Sequence, residues 1–155
     1  MGYCMHQGDS KFRVAAQNRI HVRDAIRTLA QYAGEARHGH YAWVNTADLV
    51  QARTDIEALE AWRWDVRLDA QDNIIGIEFQ GEKLGDDIVM FNVIAPFVER
   101  GSYIVMHGED GETWRWYFDG VTCKEQSAQV SFGNDDSGEV IEGEAAQVVP
   151  FPQLT

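Results

Sequence analysis

The chain predicts an α+β fold: a mostly antiparallel sheet with helices packed on one face, ferredoxin-like in the broad sense, with extra C-terminal strands. Three observations carry this. Alternating apolar and polar residues recur in short runs bounded by Gly, Asp and Asn, as sheet strands require. Two stretches, 18–33 and 54–62, carry helix signals of apolar spacing or capping, and a third, 87–98, is apolar on nearly every side. If the two early helices count as one crossover, the order approximates βαββαβ.

The elements follow in order. Residues 1–10 are polar and contain glycine, which suggests an extended lead-in. Residues 11–15 (KFRVA) alternate as a short strand does. Asn18 is placed to cap a helix running to Ala33, with Gly34 as its stop. Val22, Ile26, Leu29 and Ala33 fall on one stripe of that helix. Arg19, Arg23 and Arg27 recur every four residues and form a basic stripe on another face. After a loop at 34–40, residues 41–44 (YAWV) suit a short strand or an apolar plug. Asn45 and Thr46 are capping residues for a helical turn through Val50. Thr54 with Glu57 makes a capping box for the helix to Trp62.

Residues 64–68 (WDVRL) and 74–80 (IIGIEFQ) read as strands around a DAQDN turn, with Ile75, Ile77 and Phe79 expected on the buried face. Asp86 is placed to cap the helix 87–98, and Pro96 is expected to shorten or kink its last turn. Residues 103–107 and 113–118 form a hairpin around Gly108-Glu109-Asp110-Gly111, and alternation points Trp114, Trp116 and Phe118 to one side. A further strand is expected from Cys123 to Phe132. Residues 1–132 are thus expected to form one domain. Residues 133–155 form an acidic tail whose apolar stretches Val140-Ile141 and Val148-Val149-Pro150-Phe151 are expected to dock on it.

Charge is unevenly divided. Residues 1–64 carry a net +1 and residues 65–155 a net −13, within a total of −12. The acidic half repels nucleic acid and anionic membranes, so neither is a favoured partner. Cys4 and Cys123 stand far apart without a partner motif, which gives no disulfide framework and no zinc signature. Together with the absence of a membrane-length apolar run or a secretory leader pattern, this points to a cytoplasmic protein. Gly2 lacks the Ser or Thr that N-myristoylation wants, because His6 stands there.

Candidate chemistry is sparse. His38-Gly39-His40 is the closest histidine pair, with Asp48 or His6 as conceivable companions, but a metal site needs three or four converging ligands. No metal or cofactor is expected. His107, beside Glu109 and Glu112, has the residue types of an acid/base pair. Nucleophile-elbow, phosphate-loop and dinucleotide fingerprints are missing. The basic stripe Arg19, Arg23 and Arg27 suits an anionic partner, and equally a solvated face or pairing with this chain's own acids. On the hairpin, the face opposite the Trp row carries Tyr103, His107, Arg115 and Tyr117, a mixture of aromatic and polar groups that suits contact with a ligand or protein.

One string repeats: Glu60-Ala-Trp62-Arg63-Trp64 and Glu112-Thr-Trp114-Arg115-Trp116 share E-x-W-R-W. The two copies fall on different elements, a helix end and a strand, which argues against duplication.

The hairpin string G-S-Y-I-x-M-x-G-E-D-G-E-x-W-R-W-x-F-D-G at 101–120 resembles a group of small uncharacterised bacterial and phage-borne proteins. Residues 60–65 (EAWRWD) and 76–86 (GIEFQGEKLGD) are similar to the same group. The resemblance spans roughly residues 10–125. It implies a bacterial or phage origin and carries no activity or catalytic residue with it.

The sequence therefore favours a non-catalytic binding protein whose partner is another protein or a second copy through helix 87–98. Two alternatives stand beside it: an acidic antagonist that mimics nucleic acid toward a basic target, and a small hydrolase or transferase using His107.

Overall fold

The computed structural model describes residues 2–35, 41–130 and 148–149. The fold is α+β. Strands β1 (Met5–Lys11), β4 (Tyr103–Gly108), β5 (Thr113–Phe118) and β6 (Cys123–Ser127) form one antiparallel sheet in the order β1-β4-β5-β6. Strands β2 (Trp64–Leu68) and β3 (Ile74–Phe79) form a separate two-stranded hairpin outside that sheet.

β1 lies where the composition suggested a lead-in, and the expected strand at 11–15 is displaced toward the N-terminus. The run MHQGDSK has little apolar periodicity. It forms a strand because β4 offers it a full backbone ladder, from Met5 opposite Gly108 to Lys11 opposite Tyr103, with a bulge between Gln7 and Ser10. The Gln7 side chain then works as a surrogate peptide. Its Nε2 donates to the Ile77 carbonyl at 2.9 Å and its Oε1 accepts from the Phe79 N–H at 2.7 Å. Beyond β1, Phe12 and Val14 are fully buried, and Val14 exchanges both backbone hydrogen bonds with Ile74. The sheet and the β2–β3 hairpin are thereby joined through one segment.

Helix α1 (Arg19–Glu35) follows a single 3₁₀ turn at Ala16–Asn18, so Asn18 ends that turn and does not cap the helix with its side chain. Val22, Ile26 and Ala30 are completely buried at steps of four. Residues 41–45 are an irregular plug in which Val44 is buried and Tyr41 packs on Trp62 with ring centroids 5.4 Å apart. Helix α2 (Thr46–Gln51) is capped by Asn45, which accepts from the Ala47 N–H. Helix α3 (Asp55–Ala61) is capped by Thr54, which accepts from the Glu57 N–H, while Glu57 reaches back to the Arg53 N–H.

In β3 the buried residues are Ile74, Gly76 and Ile77, with Ile75 and Phe79 half-buried, not the alternating set 75, 77 and 79. The cause is an irregularity in register: Arg67 faces Gly76 and Leu68 faces Ile74, so Ile75 is the extra residue. The turn between them is held by Asp69, whose Oδ1 accepts from the Gln71 and Asn73 N–H groups.

The apolar helix expected over 87–98 is shorter. Helix α4 runs Asp87–Ile94 and tightens into a 3₁₀ turn at Ala95–Phe97, because Pro96 offers no N–H to the helix. Asp86 precedes it without a side-chain cap and instead accepts from the Ala42 N–H. Met90, Phe91 and Ile94 are fully buried on the inner face of the sheet, which explains most of the helix's all-round apolarity. Phe91 is the hub, with ring centroids 5.2 Å from Trp64, 5.2 Å from Trp116 and 5.6 Å from Phe118. Ile104, Met106, Trp114, Trp116 and Phe118 form the sheet's contribution to this core, as alternation along the hairpin predicts.

The strand expected to run to Phe132 ends at Ser127. A two-residue strand β7 (Gln129–Val130) then pairs antiparallel with β8 (Val148–Val149). The expectations for Val140-Ile141 and Pro150-Phe151 lie outside the described residues.

Candidate functional site

The outer face of the sheet collects the hairpin residues singled out in the sequence. Tyr103 faces Tyr117 across the β4–β5 ladder, Val105 faces Arg115 and His107 faces Thr113. All six side chains are half-buried. The Arg115 guanidinium lies between the two tyrosines, with Cζ 4.9 Å from the Tyr117 ring centre and 5.9 Å from that of Tyr103. Its Nε donates to Gln126 Oε1 at 2.8 Å. Burial pulls the Arg115 pKa down from its ordinary value, yet a guanidinium remains charged at neutral pH. Tyr103 donates its hydroxyl to Asp9 at 2.8 Å, and that bond, with burial, raises the phenol pKa.

His107 sits at the other end of the face. Its Nδ1 is 3.0 Å from Thr113 Oγ1, and its ring stacks obliquely on His6 at 5.1 Å. The ring lies against Gly8, where a Cβ would meet Nε2 at 2.5 Å, so residue 8 must lack a side chain for this packing.

The carboxylates paired with His107 in the sequence go elsewhere. Gly111, with φ +89, turns the hairpin tip toward the N-terminal segment. Glu109 Oε1 accepts from the Cys4 N–H at 2.6 Å, and the Asp110 carboxylate takes the Tyr3 hydroxyl. That bond pushes the Tyr3 pKa up to about 12. Among the described residues no carboxylate hydrogen-bonds to His107, so His107, Glu109 and Glu112 are not assembled as an acid/base group.

The stripe Arg19, Arg23 and Arg27 is spent inside the fold. Arg19 makes a two-pronged ion pair with buried Asp55 at 2.8 and 3.0 Å and also donates to the Asp72 carbonyl. Arg23 and Arg27 donate to the carbonyls of Arg53 and Ala52, the orphan acceptors just after α2. The stripe laces α1 to the α2–α3 connection.

Two arrangements were missed in the sequence. Arg63, with φ 77, directs its guanidinium onto Asp87 at 3.1 Å, and Asp87 also accepts from Trp64 Nε1 at 3.0 Å. Asp87 is fully buried, and burial raises its pKa against the opposing pull of Trp64 and Arg63. Asp-Asp at the start of an apolar helix reads as capping, which hid this role. The second is Lys83 Nζ, 3.0 Å from Cys4 Sγ, an approach between residues 79 positions apart that no local pattern announces.

His21 stacks on Phe97 at 5.1 Å within an apolar groove of about 370 Å³ between α1 and the end of α4, with Ala25, Leu29, Tyr32 and Val93. His38 and His40 lie outside the described residues. Among the described residues no group of three or more His, Cys, Asp or Glu side chains is placed to hold a metal ion, and no helix is long and apolar enough to cross a membrane. Comparison with family models finds no match, and comparisons with curated proteins and with solved structures find none either.

Proposed function

We propose that this chain is a non-catalytic binding protein of the cytoplasm, of bacterial or phage origin, that engages a protein partner through the outer face of the sheet. The observation that carries this reading is the row Tyr103–Arg115–Tyr117. It sets a cation between two aromatic rings on the face turned away from the core. Aromatic and Arg side chains on a rigid sheet are the residue types that dominate binding interfaces. The dispersal of His107, Glu109 and Glu112 supports binding over catalysis.

The test pairs a variant with a readout. Arg115→Glu with Tyr117→Ala keeps the inner-face core and is expected to keep its thermal melt near wild type. Wild type, used as bait in bacterial extract, is expected to retain a defined protein that the variant loses. Equal retention by both overturns the outer-face assignment. Retention that collapses with salt favours the acidic-antagonist reading.

A second copy is the other partner to consider, because Val93 and Phe97 of the expected dimer helix line the apolar groove with α1. Light scattering at high concentration should then show a dimer that Phe97→Asp dissociates. A clean monomer removes that reading.

A further inference from the structure

On the inner side of the sheet, at its open end, Tyr3, Leu84, Glu112, Trp114, Glu125 and Ser127 line a cavity of about 120 Å³. Strand parity assembles it. Trp114 faces Ser127 and Trp116 faces Glu125 across the β5–β6 ladder, and Glu112 precedes Trp114 by two residues. The cavity is separate from the outer face, and nothing below rests on the reading of that face.

Its walls have a definite chemistry. The Tyr3 and Trp114 rings stand 6.3 Å apart, tilted by 41°. The Tyr3 hydroxyl is occupied by Asp110, and the neutral phenol ring forms part of the wall. Leu84 adds an apolar wall. Glu125 is oriented by Trp116 Nε1, which donates to its Oε1 at 2.8 Å, and Glu112 supplies a second carboxylate. Trp114 is only 8% exposed, and its indole N–H is buried without a hydrogen-bond partner among the described residues. Trp116 has no such deficit.

Aromatic faces and carboxylates around a small space are the combination that recognises an organic cation: the rings take the apolar skirt and the carboxylates take the charge. An anion is repelled by both glutamates. The volume corresponds to about four water molecules, enough for an ammonium carrying a few methyl or methylene groups. We propose that this cavity binds an alkylammonium group, either the head of a lysine side chain on a partner or a free organic amine.

The experiment follows the Trp114 indole N–H by heteronuclear NMR, with the resonance assigned by its loss in Trp114→Phe. n-Butylammonium chloride is titrated against sodium chloride at matched ionic strength. A saturable shift of the Trp114 resonance at millimolar amine, absent with sodium, is expected. Glu112→Gln/Glu125→Gln is expected to weaken it at least about tenfold. Glu112→Gln alone, which leaves the Trp116 hydrogen bond intact, is expected to weaken it in the same direction. A lysine peptide binding more tightly than butylammonium identifies a protein lysine as the source; the reverse order identifies a free amine. No saturable shift with either probe, or a shift unchanged in both Gln variants, overturns the proposal.

Discussion

The same five-residue pattern, E-x-W-R-W, occurs at Glu60–Trp64 and Glu112–Trp116, and the two copies meet opposite fates at the arginine. In both, the tryptophans are buried. At 62–64 this happens across a helix–strand junction, where Arg63 takes φ 77 so that both rings turn inward. Its guanidinium is driven inside and finds Asp87. At 114–116 ordinary strand alternation buries the rings and sends Arg115 to the opposite face, between two tyrosines. Tryptophan burial is therefore the invariant, and backbone conformation decides whether the intervening cation is carried inward to a buried carboxylate or to the opposite face of the sheet.

The comparison breaks most sharply at Arg63. Arg63→Met keeps the length and the backbone demand but leaves the Asp87 carboxylate buried without its cation, a loss of about 3–5 kcal/mol in denaturant unfolding. Arg115→Met removes a half-buried cation–π contact and the hydrogen bond to Gln126, and should cost less, about 1–2 kcal/mol. Equal losses at the two sites would mean that the cations do the same work.

Between those extremes lies Gln7. Gln7→Ala strands the Ile77 carbonyl and the Phe79 N–H, for a loss of about 1–3 kcal/mol. Faster amide exchange at Phe79 would locate the effect.

The pH dependence sharpens the contrast between a fully buried and a half-buried acid. Burial raises the Asp87 pKa in the folded state. The proton is then held more tightly folded than unfolded, so this group's contribution is fullest below the ordinary Asp value and declines as pH climbs through the raised folded value. Asp119 has the opposite sign. Backbone N–H groups of Thr122 and Val121 hold it at about 2, so its contribution is present above the ordinary Asp value and is lost as pH falls toward 2. Thermal melts across that range should show Asp87→Asn flattening the first trend and Asp119→Asn the second, with the half-buried Asp119 giving the smaller effect.

Legibility followed the range of the interaction. The Val22–Ile26 stripe, the Thr54 and Asn45 caps and the Trp row were readable, because each depends on neighbours within one element. β1 was not, because its polar sequence becomes a strand only through partners in β4 and β3. Ile75 was misplaced because an irregularity in strand register shifts the period by one. The arginine stripe was visible, but its acceptors, the carbonyls of Ala52 and Arg53 and the carboxylate of Asp55, belong to a different part of the chain. On the candidate surface, Tyr103, Arg115 and Tyr117 were brought together as alternation implies. His107 was separated from its expected acids because the Glu109-Asp110 tip folds back on Tyr3 and Cys4.

The Gln7 amide has a consequence for the order of assembly. Its hydrogen-bond partners lie 70 or more positions downstream, and the hairpin tip that seals Cys4 is 105 positions away. β1 is therefore paired only after β3 and β4 have been synthesised. Closing this seam therefore carries the loop-closure entropy of a long stretch of chain, a cost that local contacts such as the β4–β5 hairpin avoid.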